Sequence, residues 1–164
     1  MKKLLAFFIS ILMLLSMTPA VAWNVTVQSD DFDGDFVFVA TSYTDIYGST
    51  DDPNLTFSDS DVLYVRCKAR KLEIFMTGPQ DYSRTIGVEA KINSGKAFKW
   101  GVLAGTASDT LFFNNPKTLV AKLLSSSKFT LRVPTTNGSF VSIFKTSNLA
   151  GAAKSKFARY GCKI

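Results

Sequence analysis

Apolar and polar positions alternate through most of the chain in short segments divided by turn-forming residues, the pattern of an antiparallel sheet. Trp23, Val25 and Val27 alternate with polar neighbours, Asp33-Gly34 marks a turn, and Phe36 to Ala40 form a near-continuous apolar run, which predicts an opening hairpin. The stretch from Tyr43 to Ser60, rich in Asp, Ser, Thr and Gly, reads as one long loop. A second hairpin follows: Leu63, Val65 and Cys67 share a face, Lys68-Ala69-Arg70-Lys71 reverses the chain, and Leu72, Ile74 and Met76 return. A third places Ile86, Val88, Ala90 and Ile92 against Phe98, Trp100 and Val102 around Asn93-Ser94-Gly95-Lys96, and Leu111 to Phe113 adds a short strand.

The period then changes. Asn115-Pro116 offers an N-cap and a first-turn proline, and Leu119, Val120, Leu123 and Leu124 recur at helical spacing to about Ser125. Phe129, Leu131 and Val133 predict a strand, Thr136-Asn137-Gly138 a hairpin turn, and Val141, Ile143 and Phe144 its return. Ser147 or Asn148 can cap a last helix carrying Leu149, Ala152, Ala153, Phe157 and Tyr160 on one face and ending at Gly161. The predicted fold is mainly β: an antiparallel β-sandwich or curled sheet with one covering helix and a C-terminal helix. With neither a composition break nor a repeat, residues 23–164 read as a single β-rich domain.

The start of the chain has another character. Lys2 and Lys3, the apolar stretch Leu4 to Met17 and the small-x-small site Ala20-Val21-Ala22 predict a signal peptide over residues 1–22. The apolar run is shorter than the roughly 20 residues of a membrane span, so the reading is cleavage, export to the periplasm or medium, and no stable membrane insertion afterwards. In an oxidising compartment the two cysteines, Cys67 and Cys162, are expected to pair. They lie 95 positions apart, a separation for which chain entropy gives roughly 4 to 5 kcal/mol.

Composition narrows the chemistry. The 164 residues contain no histidine, which removes the Ser-His-Asp triad, imidazole acid/base catalysis and His-ligated zinc. Losing Lys2 and Lys3 with the leader leaves 17 basic against 13 acidic residues and a net charge of +4. From Trp23 to Asp61 there are nine aspartates and no Lys or Arg, whereas the rest holds all 17 basic residues against four acids. Two arrangements fit this segregation: acidic loops folded back on basic strands, or an exposed basic face that meets an acidic partner or an anionic envelope.

The local motifs favour structure over catalysis. Asp31-Phe32-Asp33-Gly34-Asp35 opens like a calcium loop, but its glycine stands fourth instead of sixth and Ser42 occupies the twelfth place, so a solvated turn and no metal is the reading. Ser125-Ser126-Ser127-Lys128 has S-x-x-K spacing but ends a helix and lacks the companion elements of serine enzymes. The basic residues lie dispersed through strands without an aromatic ribonucleoprotein motif, which with export argues against nucleic acid. Neither a catalytic group nor a cofactor is expected.

Several elements together resemble the VasI or TagO type of periplasmic accessory protein associated with type VI secretion. They are Trp23 after the leader, Asp30-Asp31 before Phe36 to Ala40, Leu63-Tyr64-Val65-Arg66-Cys67 with a basic turn and Leu72-Glu73-Ile74, the helix Leu119 to Leu124, and the series Phe144, Leu149, Ala152, Cys162. The likeness spans most of residues 23–164. Two departures stand out: Lys91-Ile92-Asn93 replaces an Arg-x-Asp triplet, and Asn148 replaces a glycine before the last helix. The resemblance implies a non-enzymatic accessory or binding protein whose partner is an envelope or secretion-apparatus protein. The alternative is an envelope exclusion factor or cell-wall enzyme inhibitor encoded by a phage or mobile element. The candidate binding residues are Tyr43 and Tyr47 with Asp45, Asp51 and Asp52, and, as a second patch, Arg66, Lys68, Arg70 and Lys71.

Overall fold

The computed structural model describes residues 23–29, 36–43, 55–57, 61–135 and 138–164. Its ten strands are β1 (Asn24–Ser29), β2 (Phe36–Tyr43), β3 (Leu55–Phe57), β4 (Val62–Lys68), β5 (Lys71–Thr77), β6 (Gly87–Ile92), β7 (Phe98–Ala104), β8 (Thr110–Phe113), β9 (Lys128–Thr135) and β10 (Gly138–Lys145). Two helices, α1 (Pro116–Leu123) and α2 (Leu149–Arg159), complete the described fold. The strands join in the order β1-β2-β4-β5-β8-β7-β6-β9-β10-β3. Every pairing is antiparallel except that of β10 with β3. Although β2 and β10 lie near opposite ends of that order, they touch, so the sheet curls back upon itself.

The curl follows from the alternation. In β4, Leu63, Val65 and Cys67 are buried while Val62, Tyr64, Arg66 and Lys68 on the other face are only partly covered. Inward residues of both halves, among them Leu63, Met76, Val88, Val102, Leu131 and Phe144, form one core with Trp23. Helix α1 packs on β5 through Leu119, Val120 and Leu123, and α2 packs on β2. Leu149, Ala153 and Phe157 of α2 are buried in that core. Cys67 and Cys162 are bonded, with Cα atoms 5.9 Å apart, which ties the chain beyond α2 to β4.

Several local features differ from the sequence reading. The long loop between Tyr43 and Ser60 contains β3, whose partner β10 lies in the last part of the chain, beyond the reach of a local pattern. Ile86 precedes β6 and is 86% exposed instead of sharing the face of Val88 and Ala90. In β10 the inward set is Phe140, Ser142 and Phe144, the register facing Val133, Leu131 and Phe129; Val141 and Ile143 lie on the other face. Buried Ser142 breaks the hydrophobic alternation and so conceals the phase of the strand.

Asn148 and Asn93 both occupy left-handed backbone. Asn148 precedes α2 at φ 66° and Asn93 follows β6 at φ 51°. Asparagine is among the residues that tolerate this region best, so Asn148 can stand where a glycine would. Neither Asn148 nor Asn115, the residue before α1, uses its side chain as a cap. Asn93 does different work: its Oδ1 accepts hydrogen bonds from the Ser127 N–H at 2.9 Å, the Ser127 hydroxyl at 3.1 Å and the Lys128 N–H at 3.1 Å.

Candidate functional site

The most concentrated polar chemistry among the described residues is sealed. Asp61, just before β4, accepts hydrogen bonds from the Tyr82 hydroxyl at 3.3 Å and from the Ser142 hydroxyl. All three residues have 0% exposure. Gly78 closes over them, and Tyr82 is held by its N–H bond to Ser108 O at 2.7 Å. Burial, with the Asp61 carboxylate beside it, raises the Tyr82 phenol above its ordinary pKa. No substrate reaches this cluster without opening the core, so its role is to bind β4, β10 and the segment after β5 to one another.

In the S-x-x-K sequence the first serine, Ser125, is exposed, with its hydroxyl donating to Lys122 O at 3.4 Å. The buried Ser126 hydroxyl bonds to Leu123 O at 2.9 Å and meets the Thr146 hydroxyl at 2.5 Å, joining the end of α1 to the end of β10. Among the described residues there is no group of three or more His, Cys, Asp or Glu placed to hold a metal ion.

The accessible chemistry lies on the outer sheet face. Register places Tyr64 opposite Phe75, Phe75 opposite Phe112, and Phe112 opposite Leu103, so one apolar row crosses β4, β5, β8 and β7. Tyr64 and Phe75 stack at 4.7 Å between ring centroids, and Phe75 and Phe112 lie 5.1 Å apart. Such ring pairs contribute about 0.5 to 1.5 kcal/mol each beyond area burial. Arg66 spreads over Phe75 at 4.7 Å while its guanidinium holds Glu73 at 2.5 Å. Phe75 is thus covered by its neighbours, whereas Leu103 ends the row 63% exposed.

Next to Leu103, Gly87 of β6 stands opposite Gly101 of β7. With no side chains there, the face dips into a depression of about 670 Å³ edged by Ile86, Lys99, Arg132 and Pro134. Glu89 at its edge is paired with Arg132 at 2.9 Å. Tyr43, 60% exposed, lies on the same outer face at the end of β2, opposite Val62.

The candidate residues therefore separate. Tyr43 is exposed; Tyr47, Asp45, Asp51 and Asp52 lie outside the described residues. Of the basic quartet, Arg66 is bonded to Glu73 and lies over Phe75, and Lys68 has an interaction of its own. Arg70 and Lys71 instead line a groove of about 640 Å³ with Lys117 of α1. Tyr64 and Phe75 are readable as outward residues from the alternation of β4 and β5. Phe112 and Leu103 are not, because only the insertion of β8 between β5 and β7 brings them into the row. No helix among the described residues is long and apolar enough to cross a membrane. Comparison with protein-family models, curated proteins and solved structures finds no match to this chain.

Proposed function

We propose that this chain is an exported, non-enzymatic binding module that docks a folded envelope protein on its outer sheet face, as an accessory protein of the type VI secretion kind its sequence resembles. The observation that carries this reading is the row Tyr64, Phe75, Phe112 and Leu103, an apolar stripe on the solvent side of a sheet whose core lies on the other side. Phe75 is covered within the row and Leu103 is its open end, and apolar surface rimmed by polar residues marks interaction sites in soluble proteins. Charge specifies the partner further. With Glu73 paired to Arg66 and Glu89 to Arg132, Lys71 and Lys99 add positive charge on one side of the stripe. A partner with an apolar centre and an acidic rim complements that surface. The disulfide suits an oxidising compartment.

The test is crosslinked affinity capture from an envelope extract by the oxidised chain from Trp23 onward, with Leu103→Glu and Lys154→Glu beside the wild type. The expected result is a secretion-apparatus subunit retained by wild type and Lys154→Glu and lost with Leu103→Glu, at an unchanged melting temperature. An identical set of captured proteins for all three chains overturns the docking face. Capture of a cell-wall enzyme with reduced activity, or of a receptor, replaces the accessory reading with inhibition or exclusion.

A further inference from the structure

The groove between the β4–β5 turn and α1 has a chemistry separate from the apolar stripe. Ala69 and Arg70 form a tight reversal at φ 47° and 63°, and Lys71 begins β5 immediately after it. Arg70 lies against Gly161: a Cβ there would stand 3.1 Å from Arg70 Cγ and 3.5 Å from Cδ, at a backbone φ of +79° that favours glycine in any case. Gly161 adjoins Cys162, which is bonded to Cys67 on β4, so the stem of Arg70 rests on a stapled part of the fold. Lys117 of α1 lines the same groove.

Three exposed cations thus border one concavity, and its one carboxylate is already in use: Glu73 is held by Arg66 at 2.7 Å through Nε and 2.5 Å through Nη2. No ion pair of Arg70, Lys71 or Lys117 occurs among the described residues. Convergent like charges raise the local potential, which a bound anion relieves. We propose that this groove binds a phosphate monoester, with the Arg70 fork taking two oxygens and Lys71 and Lys117 acting as point charges on the remainder. A planar carboxylate is satisfied by one arginine, whereas a tetrahedral, doubly charged group uses cations arriving from different elements. The volume leaves room for part of the group that the phosphate esterifies. In an exported protein that ester is carried either by a lipid headgroup or by a soluble molecule.

Two arms separate these sources in the oxidised chain from Trp23 to Ile164. Inorganic phosphate is titrated while the backbone amides of Arg70, Lys71, Lys117 and Thr118 are followed by NMR, and the protein is cosedimented with phosphatidylcholine vesicles with and without phosphatidate. Lys71→Glu/Lys117→Glu tests the groove; Lys96→Glu/Lys154→Glu makes the same change in net charge on remote exposed positions. The groove pair is expected to weaken phosphate binding by at least about tenfold, with the remote pair near wild type and both folded as judged by melting temperature. Phosphate shifts together with phosphatidate-dependent sedimentation assign a lipid headgroup; phosphate shifts without sedimentation assign a soluble ester. Absence of shifts at the groove amides, or equal weakening by both pairs, overturns the proposal. Retention of the groove response in Leu103→Glu keeps this result independent of the docking face.

Discussion

A side chain on Gly78 would place its Cβ on Oδ1 of Asp61 and 2.5 Å from the Tyr82 hydroxyl. A buried carboxylate cannot move aside without losing its donors, and the backbone of Gly78 is fixed by its N–H bond to Asp109 O at 3.1 Å. Gly78→Ala is therefore expected to destabilise the fold by about 3 kcal/mol or more, combining overpacking with disruption of a buried network. Urea unfolding at neutral pH measures this; a loss below about 1 kcal/mol would mean that the cluster has room to shift.

The same cluster predicts an alkaline limit to stability. Tyr82 in the native state keeps its proton at pH values where the unfolded chain, titrating near the ordinary 10.0, has lost it. Its contribution is complete below about pH 10 and declines as pH rises beyond that, by up to about 1.4 kcal/mol per pH unit. Tyr82→Phe is expected to be less stable than wild type by about 1 kcal/mol at pH 8, with the gap narrowing above pH 10. A constant gap through pH 11 would rule out this linkage.

Asn93 combines a left-handed backbone with three accepted hydrogen bonds. Asn93→Asp keeps the acceptor, Asn93→Gly keeps only the backbone freedom, and Asn93→Ala keeps neither. Stability is expected to fall in that order, with alanine about 2 to 3 kcal/mol below wild type. Thermal unfolding ranks the series, and alanine melting above glycine would show that the positive φ at this position is unimportant.

Joining residues 95 positions apart, the disulfide is expected to stabilise the protein by roughly 4 to 5 kcal/mol. With Cys67 1% and Cys162 2% exposed, reductant needs an opening of the structure to reach the sulfurs. Comparing guanidinium unfolding of wild type with Cys67→Ala/Cys162→Ala measures the difference. Rapid reduction of the native protein without denaturant would show that the end of α2 opens freely.

Much of the sheet is legible in the sequence because alternation is a local signal: Leu63, Val65 and Cys67 against Leu72, Ile74 and Met76 already imply β4, β5 and the turn at Ala69-Arg70. What local pattern misses depends on distant pairing. Nothing in Leu55-Thr56-Phe57 indicates a parallel strand on β10, and Ser142 reads as an outward residue until Asp61 supplies a buried partner. The basic sequence around Arg66 to Lys71 is visible as charge, but its division between an ion pair and a groove needs Glu73 and Lys117 placed in space.

The position of β3 has a consequence for how the molecule comes apart. In the chain it falls between β2 and β4, which are neighbours in one half of the sheet, yet it pairs with β10 in the other half. The backbone thus leaves one half, bonds to the other and returns before the first half is complete. That stitch adds a second tie to the β7–β8 ladder and the shared core that already join the halves. The two halves accordingly form one cooperative unit that melts in a single transition instead of two.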